Sequence, residues 1–263
     1  MEQRDLTQGP VFKTMCIFAL PMILGNILQQ CYNVVDTWVV GKFIGAGALA
    51  AVGSAFALMT FLTSIILGLC MGSGIVFSVC FGKKDEEGLK NSLCASFFLT
   101  AAISLLLTAV SITCVDFIIN WMNIPHEIQE ITRSYLLVVF SGIPAIFFYN
   151  FFAAYLKAVG NSVIPLVFLG VSTVLNIGLD LLFVAVLNRG AVGAAEATII
   201  AQYISGIGIG VYVVSKNKTV RTAFRGRKIS IENFREITGY SIFTCMQQSV
   251  MNFGILMVQG LVN

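Results

Sequence analysis

Long apolar blocks separated by short polar segments dominate the sequence. A helix needs roughly 20 predominantly apolar residues to cross the hydrocarbon core of a bilayer, and each block here is longer than that and almost free of charge. Because backbone polar groups cannot stay unpaired in lipid, each span must be a helix or part of a closed barrel. The blocks are Met15–Val40, Leu49–Phe81, Leu93–Ile119, Tyr135–Leu156, Val163–Leu187, Ala191–Ser215 and Ile237–Val262.

The pattern within the blocks favours helices over barrel strands. Strands of a membrane barrel show segments of about ten residues with alternating polarity, and the sequence lacks such segments. The composition agrees, because 57% of the residues are hydrophobic and only 11% are charged, whereas soluble domains carry about 25% charged residues. We therefore predict an all-α, polytopic bundle of seven transmembrane helices. The polar segment 1–10 lacks the apolar core of a cleavable signal peptide.

Lysine and arginine are distributed unevenly between alternate connections. Cytoplasmic loops of membrane proteins carry an excess of these residues. Of the 16 present, 13 lie in the N-terminal segment and in the second, fourth and sixth connections, and only Lys42, Arg133 and Arg189 lie in the others. This asymmetry predicts a multi-pass protein of the plasma (inner) membrane with a cytoplasmic N terminus and a seventh helix that ends outside.

The longest polar segment, 216–235, is strongly basic. A basic patch can indicate nucleic-acid binding, but the positive-inside rule explains this one with the lipid bilayer as the partner and no nucleic acid. We predict a cytoplasmic loop here, which joins a six-helix bundle formed by residues 1–215 to a further helix formed by residues 236–263.

Two carboxylates lie inside predicted spans. Asp36 is in the outer half of the first span, and Asp180 is well inside the fifth. Ionisable side chains in a membrane are costly and are functional candidates by default. Asn176 is four residues before Asp180 and shares its helix face, while Thr198 lies in the sixth span. If both carboxylates share one pocket, their titrations are coupled, as expected of a relay for protons or cations. Oxygen ligands of this kind also suit a small hard cation.

Further polar side chains recur at helical spacing in the spans. One explanation is structural, since hydrogen bonds between helices in a membrane are worth about 0.6 kcal/mol each. Because polar faces on several helices cannot all face lipid, we expect them to converge on an internal cavity that water can reach. Glu196, at the start of the sixth span, fits a solvated position at the outer interface as well as a role in transport. The secondary polar set comprises Gln29, Gln30, Asn33, Gln202, Gln248 and Asn252.

Proline and glycine mark positions of unusual backbone geometry. Pro21 lies inside the first span, where it frees a backbone carbonyl and favours a kink. The kink would lie in the helix that carries Asp36. Three glycine pairs have the small-xxx-small spacing that permits close helix approach. These are Gly41/Gly45, Gly68/Gly72 and Gly206/Gly210.

The sequence contains little that indicates a metal site or an enzyme active site. The seven cysteines are scattered through apolar blocks without a CxxC pair, and His126 is the single histidine. No HExxH or GxSxG motif is present, so neither a metal site nor a nucleophile–base pair is indicated. We expect no metal, no catalytic residues and no cofactor other than a proton (H⁺) or a small cation such as Na⁺ at the two carboxylates.

Several segments together resemble the multidrug and toxic compound extrusion (MATE) family of efflux transporters. The likeness is distributed over nearly the whole chain, in order and at matching spacing. It is carried by Ala19–Pro21 and Asn33–Gly41 in the first span, Lys157–Asn161 with Pro165, Asn176–Asp180, Gly190–Thr198, and Gly239–Asn263 with Gln247 and Gln248.

This resemblance implies a twelve-helix protein with two six-helix lobes, of which this chain holds the N-lobe and the first helix of the C-lobe. It also implies export of cationic or amphiphilic small-molecule drugs in exchange for protons or sodium. The missing C-terminal lobe of the same protein would then be a partner, and we expect the sequence to be a fragment. The implied coupling-ion site comprises Asp36, Asn176, Asp180 and Thr198, with Asn150 as a further member and Pro21 as the hinge of the first helix.

Departures from the family pattern indicate which branch of the family the sequence resembles. Lys157 replaces the usual arginine, and Ser241 replaces the usual proline of the seventh helix. Gln248 lies where the NorM-like branch has a carboxylate, which favours the DinF-like branch with coupling through Asp36 and Asp180. The alternative within the superfamily is a flippase for lipid-linked saccharides. Such a cavity would need cationic residues to hold a pyrophosphate, and the spans contain almost none.

Overall fold

The computed structural model describes residues 10–43, 46–122, 124–224 and 231–262. These residues form helices, and none of them forms a strand, which confirms the all-α prediction. The helices are α1 (Val11–Phe43), α2 (Ala46–Gly82), α3 (Glu86–Thr113), α4 (Val115–Trp121), α5 (His126–Ser141), α6 (Ile143–Ala158), α7 (Val163–Asp180), a π-helical segment (Leu181–Val186), α8 (Gly190–Lys216), α9 (Lys218–Ala223) and α10 (Ile231–Val262).

Six helical stretches among the described residues are long and apolar enough to cross a membrane. They coincide with the first six predicted spans, the fourth being built from α5 and α6, which meet at Gly142. The seventh predicted span lies within the continuous helix α10. The six stretches are Phe12–Phe43, Leu58–Gly82, Glu86–Thr113, His126–Ala158, Val163–Val186 and Gly190–Lys216.

Local sequence sets several helix boundaries. The side chain of Asp85 accepts a hydrogen bond from the backbone N–H of Gly88 at 2.9 Å and caps α3. Glu86 and Glu87 follow in the first turn, where negative charge is favoured by the helix dipole. Gly160 has a φ of +84° just after α6, a conformation that glycine adopts without strain. The chain turns there, and Asn161 accepts a hydrogen bond from the backbone of Ile164 at 3.1 Å.

Aromatic side chains fill the core between α2, α3 and α6. Phe77, Phe151 and Tyr155 are fully buried, with ring centroids 5.9 Å apart for Phe77 and Phe151 and 6.2 Å apart for Phe77 and Tyr155. Phe97 packs edge-on against Phe151 at 5.4 Å. Pairs of this geometry contribute about 0.5–1.5 kcal/mol beyond their buried area, so this cluster fixes the positions of the helices that surround the candidate site.

The contact between α2 and α10 is backbone to backbone. An ideal Cβ atom at Gly68 would lie 2.5 Å from the Cα of Cys245, and one at Gly72 would lie 2.5 Å from the Cα of Ser241. The hydroxyl of Thr244 donates to the carbonyl oxygen of Gly68 at 2.6 Å. Within the described residues, α10 packs against α2 and α3, which places the Gly68/Gly72 pair at its main seam.

The other predicted glycine pairs behave differently. Ideal Cβ atoms at Gly206 and Gly210 would lie 3.0 Å from the carbonyl oxygen of Ala145 and 2.9 Å from the ring of Phe152, so this pair also marks a close approach, of α8 to α6. Gly45 lies outside the described residues.

The predicted cytoplasmic loop 216–235 contains more helix than its polarity indicated. Residues Lys218–Ala223 form α9, and α10 begins at Ile231. Val220 and Ala223 are buried in the main core. The sequence pattern does not indicate this short amphipathic helix, because only two of its side chains, Val220 and Ala223, are apolar and buried.

Candidate functional site

The site centres on two carboxyl groups from different helices. Asp36 projects from the second half of α1, and Asp180 is the last residue of α7, immediately before the π-helical segment. Asp180 is fully buried and Asp36 is partly buried. The two carboxyl groups lie close enough to interact electrostatically. Two adjacent negative charges are strongly disfavoured away from water, so the pair needs a proton or another cation.

A hydroxyl group joins three helices beside this pair. The hydroxyl of Tyr32 donates to Oγ1 of Thr198 at 3.1 Å, and Nδ2 of Asn176 donates to the same oxygen at 3.2 Å. A hydroxyl oxygen has two acceptor lone pairs, and both are used here. Thr198 on α8 therefore links α1 and α7. Its partners Tyr32 and Asn176 each lie one helical turn before a carboxylate, Asp36 or Asp180.

Four acceptor oxygens in this cluster are buried without a hydrogen-bond partner among the described residues. They are Oδ1 of Asp36, Oδ1 of Asn176 and both carboxyl oxygens of Asp180. Buried acceptors without donors cost about 1–3 kcal/mol each, and more when charged. A set made only of acceptors is complementary to a proton or to a hard cation that prefers oxygen ligands.

Apolar side chains close the cluster on one side. The buried residues Val39, Val40 and Val184 pack together with Ala191 and Ala194. Val35 and Tyr135 pack against them. This apolar wall lowers the local dielectric, which strengthens the electrostatic interaction of the carboxyl pair with any bound cation.

A cavity of about 280 Å³ lies next to the cluster, between α1, α2, α6, α7 and α8. Tyr32 belongs to both, since it lines the cavity and hydrogen-bonds to Thr198. The described lining residues carry amides, hydroxyls, aromatic rings and aliphatic groups, and none of them is Lys, Arg, Asp or Glu. It is formed by Gln29, Tyr32, Thr63, Leu67, Ala145, Ile146, Tyr149, Asn150, Leu169, Ser172, Thr173, Gln202 and Ser205.

The structure brings together four of the predicted coupling residues: Asp36, Asn176, Asp180 and Thr198. Asn150 lies apart from them on the cavity wall, where its Nδ2 donates to the carbonyl oxygen of Ile146 in its own helix at 2.8 Å.

The secondary polar set divides into three groups. Gln29 and Gln202 line the cavity. Gln30 and Asn33 are joined on another face of α1, where Nδ2 of Asn33 donates to Oε1 of Gln30 at 3.2 Å. Gln248 and Asn252 lie on α10, which packs against α2 and α3 in the described part of the chain. The polar side chains of α1 therefore lie in two stripes, and only the stripe that contains Gln29 lines the cavity.

Two tyrosines of the site were not predicted. Tyr32 is four residues before Asp36, so helical spacing alone places both on one face and could have identified it. Tyr135, on α5, packs against the apolar wall of the site and interacts electrostatically with both carboxyl groups. It lies far from either aspartate in sequence, and no local pattern indicates it.

Pro21 lies within the continuous helix α1. One turn earlier, the hydroxyl of Ser162 donates to the carbonyl oxygen of Phe18 at 2.9 Å. The segment of α1 before Pro21 is thus tied to the start of α7, while the segment after it is tied to the site through Tyr32. A bend at Pro21 would move these two attachments relative to each other.

Several ion pairs between described residues lie outside the cluster. Glu196 pairs with Arg189 at 2.5 Å, and the Arg189 guanidinium lies 5.7 Å from the ring centre of Phe183. Glu196 is therefore paired rather than simply solvated. Arg133 holds Asp116 with contacts of 2.7 and 3.3 Å, and this hydrogen-bonded guanidinium lowers the pKa of the Asp116 carboxyl below its usual range.

Comparison with known proteins gives a consistent result. The MatE family model matches residues 21–182. The chain is 31% identical over its full length to the probable multidrug resistance protein YpnP of Bacillus subtilis and covers 59% of that protein. It is 32% identical to YoeA, another probable multidrug resistance protein of the same organism, with 80% of the chain and 48% of YoeA covered. The chain thus spans about half the length of these relatives.

A solved structure shares the fold closely. It is described as the outward-facing conformation of a multidrug resistance MATE family transporter of the MOP superfamily. The TM-score is 0.90 at 25% identity, and the alignment covers 97% of this chain and 57% of that one.

Proposed function

Because the chain belongs to the MatE family of membrane transporters, we propose that it forms the ion-coupling part of a secondary active multidrug efflux antiporter. The antiporter exports organic cations or other amphiphiles in exchange for protons or sodium. The observation that carries this proposal is a cluster of buried oxygens without donors, from Asp36, Asn176 and Asp180, in which the two carboxyl groups interact electrostatically.

The carboxyl pair is the proposed binding site of the coupling ion. One proton shared by the two carboxyls, or one sodium ion held by their oxygens and Oδ1 of Asn176, removes the repulsion between them. Both ions satisfy the same unpartnered acceptors. Coupling then runs through the N-lobe, as in the DinF-like branch, because Gln248 cannot ionise.

The cavity lined by Tyr32, Gln29 and Gln202 is the proposed substrate site. Its volume is near the lower end of the range of roughly 300–1,000 Å³ that is typical of pockets for drug-sized ligands. Aromatic rings and amides without fixed charge suit a variety of amphiphiles, and the neighbouring carboxyl pair favours cations. Tyr32 connects the two sites, because an ion that draws Asp36 towards Asp180 also moves the α1 face that lines the cavity.

Alternating access follows from the two attachments of α1. We expect ion binding at the carboxyl pair to change the bend of α1 at Pro21, which weakens substrate binding and favours release outside. A ligand changes such an equilibrium only through its different affinity for the two states. The cationic residues concentrated at alternate connections support a cytoplasmic N terminus. This orientation places Asp36 in the outer half of the membrane, and the proposed direction of ion entry is from outside.

A flippase for lipid-linked saccharides is the less favoured function. A pyrophosphate headgroup needs Arg or Lys donors, and none of the described residues that line the cavity is Lys or Arg.

Reconstitution of the native gene product into vesicles tests the proposal. Wild-type protein should expel a cationic fluorescent dye when an inward proton or sodium gradient is imposed, and dissipating that gradient should stop the efflux. Asp180→Asn should abolish the gradient-driven part while dye binding persists. Dye efflux that is independent of both gradients, or that is undiminished in Asp180→Asn, would show that Asp180 does not couple ion entry to efflux.

A further inference from the structure

The short helix α9 is an integral part of the first bundle. The side chain of Asn217 caps it by accepting a hydrogen bond from the backbone N–H of Thr219 at 2.9 Å, and its Nδ2 donates to the hydroxyl of Tyr155 at 2.5 Å. Val220 and Ala223 are buried in the core. These contacts fix both the position and the rotation of α9.

The opposite face of α9 is cationic and exposed. It carries Lys218 and Arg221, and Lys216 precedes it at the end of α8. The ion pairs formed between described residues involve other cations, namely Lys90, Arg133 and Arg189. Because α9 cannot rotate, Lys218 and Arg221 are held on the outside without a carboxylate partner from the described residues.

An apolar stripe lies on α8, the helix that ends at Lys216. Ile204, Ile207 and Val211 are each about half or more exposed and share one side of a helix long and apolar enough to cross a membrane. The stripe ends near Lys216, where α8 ends. A ligand with an anionic head and apolar tails matches both surfaces, whereas free phosphate matches only the first.

We propose that Lys216, Lys218 and Arg221 form a binding site for the headgroup of an anionic phospholipid, whose acyl chains lie along Ile204, Ile207 and Val211. Ammonium and guanidinium groups donate to phosphodiester oxygens. The site belongs to the leaflet in which α8 ends and does not depend on the proposed efflux activity. Bound lipid would hold α9 at the membrane surface, next to the connection to α10.

Lipid-dependent thermal unfolding of the purified native gene product tests this site. The protein in neutral detergent is titrated with dioleoylphosphatidylglycerol or with dioleoylphosphatidylcholine, and the concentration that gives half of the stabilisation is compared. The preference is the ratio of the half-stabilising concentrations of the neutral and the anionic lipid. A cation near an anionic lipid surface contributes about a fivefold preference. In the variant Lys218→Gln/Arg221→Gln this ratio should therefore fall about fivefold for each cation removed. Lys218→Arg/Arg221→Lys should retain it.

The matched control is Lys83→Gln/Lys84→Gln, which removes two exposed cations after α2. It should change the preference by less than twofold. An equal loss in both double variants would mean that diffuse positive charge attracts the lipid, and the site would be wrong. The site would also be wrong if Lys218→Gln/Arg221→Gln kept the preference, or if millimolar inorganic phosphate replaced the lipid. Dye efflux is measured in a separate assay, so a failure of the proposed efflux function is distinguishable from a failure of the proposed lipid site.

Discussion

The hydroxyl of Tyr32 on α1 donates to Oγ1 of Thr198 on α8 at 3.1 Å, across 166 positions of the chain. Because Asn176 donates to the same oxygen, Thr198→Val should leave two buried donors without an acceptor. An unpaired buried polar group costs about 1–3 kcal/mol, so we expect a loss of this order in the unfolding free energy, measured by thermal unfolding of the purified protein.

Thr198→Ser keeps the oxygen and should lose less than half as much. Thr113→Val is a suitable control, because Thr113 is exposed and its hydroxyl bonds to the carbonyl oxygen of Ala109 in its own helix. If Thr198→Val were no more destabilising than Thr113→Val, Thr198 would not join the three helices.

The pair Asp116–Arg133 predicts a specific pH dependence. The pKa of Asp116 is lowered in the folded state by its hydrogen bond to Arg133, so the pair stabilises the fold above the ordinary Asp pKa of about 3.9. This contribution is lost as the pH falls through the lowered value. Arg133→Gln should therefore melt slightly below wild type at pH 7, and the gap should close as the pH falls below 4.

Both side chains are substantially exposed, so the effect is small and requires replicate melts from pH 7 to pH 3. Arg133→Lys retains the charge and should give an intermediate gap at pH 7. A gap that stayed constant or widened in acid would show that the pair does not act through the charge of Asp116.

The seam between α2 and α10 should not tolerate a side chain at Gly72. A Cβ atom there would lie 2.5 Å from the Cα of Ser241, so Gly72→Ala must push the two helices apart. Overpacking of this kind costs about 1–3 kcal/mol. Gly178→Ala, in α7, is the matched control, since no atom lies within 4 Å of its ideal Cβ. It should be neutral or stabilise by up to about 1 kcal/mol, as measured by thermal unfolding. Equal melting of the two variants would contradict the close seam.

Asn217 should control the docking of α9. Asn217→Ala removes the helix cap, which costs about 0.5–2 kcal/mol, and leaves the Tyr155 hydroxyl without its donor. Lys218 and Arg221 are exposed, but trypsin needs an unfolded backbone. Release and unfolding of α9 should therefore make cleavage after these residues, followed by mass spectrometry, at least several times faster than in wild type. Asn217→Asp keeps the cap and should give an intermediate rate. An unchanged rate in Asn217→Ala would mean that the core contacts of Val220 and Ala223 alone hold the helix.

The helices and the centre of the site follow from local sequence rules. Blocks of more than 20 apolar residues predict spans regardless of how they pack. Asp36 and Asp180 stand out because carboxylates are costly in lipid, and Asn176 follows from its spacing to Asp180. None of these inferences requires knowledge of a contact between helices.

Other features depend on packing that no local pattern encodes. The two polar stripes of α1 are offset by a single residue, since Gln29 belongs to one and Gln30 to the other. The packing of α7 and α8 against α1 determines which stripe faces the cavity. Tyr135 joins the site because α5 packs beside α8. The helix α9 forms in a polar segment because its two apolar residues find a place in the core.

The central claim is that Asp36 and Asp180 together bind the ion that drives efflux. The most direct measurement is substrate-driven ion movement in vesicles that contain the purified native gene product, followed with a pH-sensitive dye and with radioactive sodium in parallel. Adding a transported cation to one side should move protons or sodium the opposite way in wild type and in Glu196→Gln. The same addition should move at least tenfold less in Asp36→Asn and in Asp180→Asn. Undiminished ion movement in either aspartate variant, with the protein folded as judged by its thermal unfolding, would contradict the account.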